Sequence, residues 1–181
     1  MAVNKKESRK IIDKTFVMLG IVTMLVMLAA GCITWKGYTF ATNEVKTELA
    51  SQKIYFPVKG SPALDPAEFP TLQQYAGQLV DTGPEAKAYA NDFIGVHLQK
   101  VAGGKTYAEV STAALANPTD AKLQGQKAAL FQGETLRGLL LGDGYAYWTM
   151  GMLARDAAVA FFAGAGFMFV LILLGLNRLR R

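Results

Sequence analysis

"TFVMLGIVTMLVMLAAGCITW", Thr15 to Trp35, is an uncharged run of 21 residues close to the start of the chain. A second uncharged run of 21 residues, "AAVAFFAGAGFMFVLILLGLN", extends from Ala157 to Asn177. At a helical rise of roughly 1.5 Å per residue, each run makes about 31 Å of helix, which matches the ~30 Å hydrocarbon core of a bilayer. The two runs therefore predict transmembrane helices at residues 15–35 and 157–177.

The segment between the two runs, residues 36–156, has the composition of an ordinary folded domain. It carries 11 basic and 12 acidic side chains, and its sequence is dominated by helix formers. The chain's single cysteine excludes an intrachain disulfide, so this domain must be stabilised by packing. We predict a mainly α membrane protein in which two transmembrane helices flank a helical extracytoplasmic domain.

The net charge of +5 is concentrated outside the two spans. Residues 1–14 carry five basic and two acidic side chains, and residues 178–181 carry three arginines. Basic residues that flank a span stay in the cytoplasm, so both basic tails should be cytoplasmic and the domain should face outward from the plasma membrane. Membrane orientation and contact with anionic lipid thus explain the basicity, and no nucleic-acid partner is expected.

The residues Ala29-Ala30-Gly31-Cys32 allow a second interpretation, the cleavage site of a bacterial lipoprotein signal. The apolar stretch before Cys32 is longer than the roughly 7–15 residues of a secretory signal, and alanine stands where such signals carry leucine. The apolar run also continues past the cysteine to Trp35. We therefore predict an uncut helix with Cys32 as a buried thiol near its outer end, and a lipid-modified cysteine is the alternative.

Two further sets of residues follow from the span predictions. Aromatic side chains that suit the headgroup level form two interface belts, Trp35, Tyr38 and Phe40 beside the first span and Tyr145, Tyr147 and Trp148 beside the second. Small residues that allow another helix to approach closely are Gly20, Ala29, Ala30, Gly31, Ala160, Gly164 and Gly166. The small residues predict helix packing between the two spans, against a partner, or both.

The first helix should continue beyond the bilayer to about Gln52. The next segment, residues 53–70, contains four of the chain's six prolines and predicts an extended, turning path with one short strand at Lys53–Phe56. Its apolar content indicates that it lies against the domain's own helices or against a partner.

The rest of the domain is expected to be helical. Predicted helices extend over Thr71–Val80, Pro84–Ala102, Thr106–Ala116 and from a cap at Thr119 or Asp120 to about Leu141. Gly103-Gly104 should stop the second of these helices, and "GDG" at Gly142 to Gly144 should form the turn before the second span.

Three groups of residues could carry chemistry, and each has a simpler interpretation. His97, the only histidine, lacks the partners of a catalytic or metal site and fits a hydrogen-bonded helix residue. Gly104-Lys105-Thr106 is part of a phosphate-loop pattern, but position 99 is glutamine instead of glycine and a helix precedes it, which favours a helix stop followed by a cap. Arg155-Asp156 beside the second span fits a solvated anchor better than an ion path.

The stretches "YANDFIGVHLQKVAGGKTYAEVS", Tyr89 to Ser111, and "ALFQGETLRGLLL", Ala129 to Leu141, resemble a family of actinobacterial two-span membrane proteins. Members share basic ends, an outward helical domain and a Gly-Lys-Thr-Tyr-Ala-Glu stretch, matched here by Gly104 to Glu109. Many members are labelled automatically as aromatic ring-opening dioxygenases, but extradiol iron needs two histidines and a carboxylate, and this chain has only His97.

The layout is also similar to that of accessory subunits of the actinobacterial cytochrome bcc–aa3 respiratory supercomplex. The resemblance implies a larger integral membrane complex of the electron transport chain as partner, and it carries over no catalytic residue, cofactor or metal. We therefore expect a non-catalytic accessory subunit that contributes to assembly or stability. The alternative is a free-standing envelope protein that binds a ligand or cell-wall component, which a concave, partly apolar pocket in the domain would favour.

Overall fold

The computed structural model describes residues 5–180, with side chains from residue 7 onward. Helices make up 83% of the structure, and the described residues contain no strand. Two of the helices are long and apolar enough to cross a membrane. The chain is therefore all-helical with two candidate membrane spans.

The α-helices, in chain order, are α1 (Lys5–Ser51), α2 (Gly83–Ala88), α3 (Gly95–Ala102), α4 (Tyr107–Ala116), α5 (Ala121–Leu139) and α6 (Tyr147–Arg180). Shorter elements are two 3-10 turns, Pro62–Leu64 and Pro70–Tyr75, and two π-helical turns, Tyr89–Ile94 and Leu140–Ala146. The described chain forms two compact units. We call Met1–Phe40 together with Gly151–Arg181 the helix pair, and Ala41–Met150 the helical domain.

The helix pair is built on a seven-residue repeat. On α6 the buried residues are Gly151, Ala158, Ala165 and Ile172, each seven positions after the last. Opposite them, Val17 lies against Gly175, Gly20 against Ile172 and Gly37 against Ala154, so the two helices run antiparallel. A seven-residue repeat drifts about 20° per repeat on a straight helix of 3.6 residues per turn, so a buried stripe with this spacing predicts a left-handed twist of the pair.

The core of the helical domain is formed by one main cluster of buried side chains, and the proline-rich segment supplies several of them. Phe56, Leu64 and Phe69 from this segment are almost completely buried. Phe56 stacks on Tyr75 with 5.1 Å between ring centroids and meets Tyr89 edge-on at 5.0 Å. The segment thus packs on the domain's own residues, one of the two options that its sequence left open.

The strand predicted at Lys53–Phe56 is wrong. Tyr55 and Leu79 form only an isolated antiparallel bridge, with backbone bonds from Phe56 to Gln78 and from Val80 to Ile54, each 2.9 Å long. Pro57 has no N–H to donate, so the pairing cannot continue as a regular ladder.

The helix predicted at Thr71–Val80 is also corrected by the structure. Only the 3-10 turn Pro70–Tyr75 forms, because Gly77 adopts a left-handed conformation with φ of +73°. The chain beyond it is drawn into the bridge with the proline-rich segment.

The prediction that the chain turns at Gly142 to Gly144 is wrong, since these residues lie inside the π-helical segment that joins α5 directly to α6. The Tyr147 amide donates to the Gly142 carbonyl, the five-residue spacing of a π-helix. A Cβ on Gly144 would lie 3.0 Å from the Cβ of Ala86. The glycine therefore serves close packing of one helix on another, and the chain does not turn there.

Other helix ends lie at or within one residue of the positions predicted from the sequence. α1 ends at Ser51, one residue before the predicted Gln52, and Asp120 caps α5 by accepting from the amides of Lys122 and Leu123. Pro84 lies in the first turn of α2, where its missing N–H costs nothing. The predicted helix from Pro84 to Ala102 is continuous, with the π turn Tyr89–Ile94 in its middle.

Candidate interaction surfaces

The small residues predicted for helix packing divide into three groups by exposure. The buried ones are Gly20 and Gly31, the half-buried ones are Ala30 and Gly164, and the exposed ones are Ala29, Ala160 and Gly166. A Cβ on Gly31 would lie 2.7 Å from Cε1 of Phe162, and one on Gly164 would overlap the side chain of Met27. A Cβ on Gly166 would have no atom within 4 Å. Some of these residues thus face the other helix, and others face outward.

Sequence reasoning missed the residues at the centre of this contact. Ala158 and Ala165 are 0% and 2% exposed, yet neither is among the small residues predicted for helix packing. The signal was present in the sequence as a seven-residue spacing of small and apolar residues from Gly151 to Ile172. Methyl-sized side chains there let the backbones approach closely, which in lipid is a main source of helix association.

The two predicted aromatic belts differ in how they are used. In the first, Trp35 and Phe40 are exposed, and Trp35 meets Tyr38 edge-on at 5.3 Å. In the second, Tyr147 is exposed, but Trp148 is half-buried and packs on Gly83 and the domain core.

Tyr145, the remaining member of the second belt, contacts Lys87. The ammonium group of Lys87 lies 3.4 Å from the Tyr145 hydroxyl and 4.6 Å from the ring centroid. Tyr145 and Trp148 therefore serve packing within the helical domain, whatever their level in a bilayer.

The prediction that Cys32 is a buried thiol is wrong, because the side chain is exposed. Cys32 follows Gly31, which faces the other helix, and each step along an α-helix turns by about 100°, so the thiol points away from the contact. Arg155 and Asp156, in contrast, pair with each other at 2.8 Å while remaining largely exposed, as a solvated anchor should.

His97 is a hydrogen-bonded helix histidine, as predicted. Its Nδ1 lies 2.9 Å from the carbonyl oxygen of Phe93, and because a carbonyl can only accept, Nδ1 carries the proton. The ring stacks on Phe69 at 5.5 Å with the planes only 7° apart. These contacts assign His97 to packing among the aromatic rings.

The Gly104-Lys105-Thr106 stretch is a helix stop followed by a cap, as predicted. Gly103 has φ of +61°, and the amide of Gly104 closes the end of α3 on the Gln99 carbonyl at 2.8 Å. Thr106 then caps α4, and the Glu109 carboxylate accepts from the Thr106 amide at 2.7 Å and from its hydroxyl at 2.8 Å. These two hydrogen bonds lower the pKa of Glu109 below its ordinary value.

A cleft of about 250 Å³ lies beside α3 and α5 in the helical domain. Arg137 projects into it, donating from Nε to the Ala90 carbonyl at 3.0 Å and pairing through Nη1 with Glu134 at 2.8 Å. Its Nη2 donates to the Asn91 side chain at 3.1 Å. Ala90 lies in the first π-helical turn, so Arg137 supplies a second donor to a carbonyl of the distorted backbone.

In the aromatic cluster with Phe56 and Phe93, burial raises the pKa of the Tyr89 hydroxyl. Among the residues that the structure describes, no group of three or more His, Cys, Asp or Glu side chains is placed to hold a metal ion.

Comparisons with protein-family models, with curated proteins and with solved structures each found no match to this chain.

Proposed function

We propose that this chain is a non-catalytic accessory subunit of a larger integral membrane complex, contributing to assembly or stability. The complex that its sequence resemblance implies is the actinobacterial respiratory cytochrome bcc–aa3 supercomplex. In this proposal α1 and α6 cross the plasma membrane, the basic segments flanking the spans face the cytoplasm, and the helical domain lies on the outer side.

The observation that carries the proposal is the set of small residues left outside the contact between the two spans. Ala29, Ala160 and Gly166 are exposed, although small residues are the ones that let a further helix approach closely. In addition, only 17% of the most apolar 18-residue stretch of each long helix is buried within the chain. The pair therefore offers both apolar area and close-approach positions to another membrane protein.

The test is purification through a tag on this chain in mild detergent. We expect oxidase and cytochrome subunits to co-purify, and recovery of the chain without them would contradict the proposal. Gly166→Leu should reduce co-purification, because its side chain would occupy the outward position while meeting nothing within the chain. Val170→Leu, an exposed substitution on the same helix that keeps the side chain large, is the matched control.

The orientation has its own test. Protease added to whole cells should cut within residues 41–150 and leave the basic flanking segments intact. Mass spectrometry of the mature protein distinguishes the uncut first span from the lipoprotein alternative, in which an acylated Cys32 would be the first residue.

A second candidate function is a free-standing envelope protein that binds a ligand through its helical domain. The cleft around Arg137 favours it, since polar groups of Asn91, Glu134 and Arg137 converge there beside apolar Val96 and Leu98. Its volume of about 250 Å³ lies below the ~300–1,000 Å³ of typical ligand pockets, and Arg137 is already engaged by three partners. A thermal-shift screen with soluble cell-wall fragments would favour this candidate if wild type were stabilised and Arg137→Leu were not.

A further inference from the structure

A groove of about 420 Å³ lies between the two spans at the end that carries the chain termini. Its walls are apolar side chains of both helices, among them Phe16, Leu19, Leu171 and Leu174. Gly20 and Gly175 line it as well, and they lie against Ile172 and Val17 of the opposite helix, so the two helices pack closely along the groove. An apolar groove of this size, open along the outside of two membrane helices, suits an acyl chain.

A charged pair forms the rim of the groove. Arg178 donates from Nε to the Asp13 carboxylate at 3.0 Å, yet its side chain remains 69% exposed, whereas that of Asp13 is 22% exposed. A guanidinium has five N–H donors, more than one carboxylate can use, and its planar fork suits phosphate oxygens. Arg178 can therefore bind a phosphate group while it stays beside Asp13.

The charge around this end of the spans favours an anionic occupant. Residues 1–14 carry five basic side chains against two acidic ones, and residues 178–181 add three arginines. Over windows of the same length at the opposite ends of the spans, residues 36–49 carry two basic and two acidic side chains, and residues 153–156 carry Arg155 and Asp156. A juxtamembrane basic residue contributes about 1 kcal/mol to binding an anionic lipid surface, which is about a fivefold change in affinity.

We propose that this groove is a binding site for an anionic phospholipid, with an acyl chain between α1 and α6 and the phosphate on Arg178. The site rests on the proposed crossing of the membrane by α1 and α6, but it does not require the respiratory complex. A lipid held there would bridge the two helices at the end where their basic segments would otherwise repel each other.

The experiment uses the purified full-length chain in detergent, titrated with phosphatidylglycerol or phosphatidylcholine, with bound lipids counted by native mass spectrometry. Wild type should retain phosphatidylglycerol in preference to phosphatidylcholine. Arg178→Gln should weaken phosphatidylglycerol binding about fivefold. Arg155→Gln, which removes the same charge at the other end of the span, should leave binding unchanged. Equal retention of the two lipids by wild type would overturn the proposal.

Asp13→Asn separates a lipid site from a purely structural ion pair. Removing the carboxylate frees Arg178 and deletes a negative charge, so phosphatidylglycerol should bind at least as tightly as to wild type. If the pair served only to hold the helices together, Asp13→Asn and Arg178→Gln would weaken lipid binding alike. That result would refute the site.

A second pair of variants tests the groove itself. Leu171→Trp enlarges an exposed side chain that lines the groove, and Leu173→Trp makes the same change two residues away, outside it. Only Leu171→Trp should displace phosphatidylglycerol, with helicity by circular dichroism confirming that both variants fold. If phosphatidylglycerol bound equally well to both variants, its headgroup would be attracted to the basic surface alone, and the groove would be excluded as its binding site. Retained lipid selectivity without co-purifying oxidase subunits would refute the proposed complex but not this site.

Discussion

Gly83 and Trp148 form a close contact within the helical domain, and it leads to a quantitative prediction. Gly83 is buried at the start of α2, directly against the side chain of Trp148 on α6. A Cβ added at Gly83 would lie 2.8 Å from Cδ1 of Trp148 and closer still to its Cγ and Cβ. The Trp148 Cβ is fixed by the α6 backbone, so no rotation of the side chain relieves the overlap.

Gly83→Ala should therefore destabilise the domain. Overpacking a well-packed site costs about 1–3 kcal/mol, and the near-backbone contacts place Gly83 in the upper part of that range. Replacing a helical glycine by alanine returns up to about 1 kcal/mol. The net loss should be about 2 kcal/mol, and for the 110 residues of Ala41–Met150 that lowers the melting temperature by roughly 9 °C.

Gly138→Ala is the matched control, because a Cβ there would have nothing within 4 Å and the residue lies inside α5. The variant should gain up to about 1 kcal/mol from helix propensity, which raises the melting temperature by at most roughly 4 °C. Tryptophan fluorescence in a Trp35→Phe background reports on Trp148 alone, since the chain has two tryptophans. A Gly83→Ala melting temperature at or above that of the parent would refute the packing argument.

Three further predictions concern a buried core residue, the cap of α4 and the contact between α1 and α6. Leu140→Ala should lower the free energy of unfolding, measured with denaturant, by about 2–5 kcal/mol because Leu140 is only 2% exposed. The neighbouring Leu139 is 55% exposed, so Leu139→Ala should change that free energy by less than about 1 kcal/mol. Equal losses in the two variants would contradict the assigned core. Thr106→Ala should destabilise α4 by about 1 kcal/mol. It should also move the pKa of Glu109 only part of the way back toward its ordinary value, because it removes the hydroxyl hydrogen bond but keeps the larger effect, the hydrogen bond from the backbone amide at position 106. In wild type the lowered pKa means that the contribution of Glu109 to stability is fully present above the ordinary carboxyl pKa and is lost as pH falls through the lowered one. An NMR titration of Glu109 measures the pKa, and an unchanged value in Thr106→Ala would exclude the hydroxyl hydrogen bond as a cause. Ala158→Leu should push α1 and α6 apart at a cost of about 1–3 kcal/mol, which would be measured as faster proteolysis in detergent. Ala160→Leu, on the exposed side of α6, should leave the proteolysis rate unchanged. Equal proteolysis rates for the two variants would argue against the contact built on every seventh residue of α6.

The functional assignments depended differently on the sequence and on the structure. His97 could be assigned from the sequence because it is the only histidine, and the structure added its hydrogen bond to Phe93. The groove beside Arg178 could not be predicted. It is lined by Gly20 and Gly175, which are 155 positions apart in the chain and come together only because α1 and α6 pack side by side.

The sequence by itself determined the two long apolar helices, a cap at Thr119 or Asp120 and the stop at Gly103-Gly104, because these depend on properties of a short stretch of chain; the structure selected Asp120 as the cap. Span length is a matter of consecutive apolar residues, and caps and left-handed glycines act on amides a few positions away. Tertiary structure alone decided that Gly144 packs within a continuous helix, that Cys32 faces outward, and that Ala158 and Ala165 lie between α1 and α6. A glycine allows a turn and a close approach equally well, and only the neighbour that occupies the space beside it, Ala86 for Gly144, selects between the two.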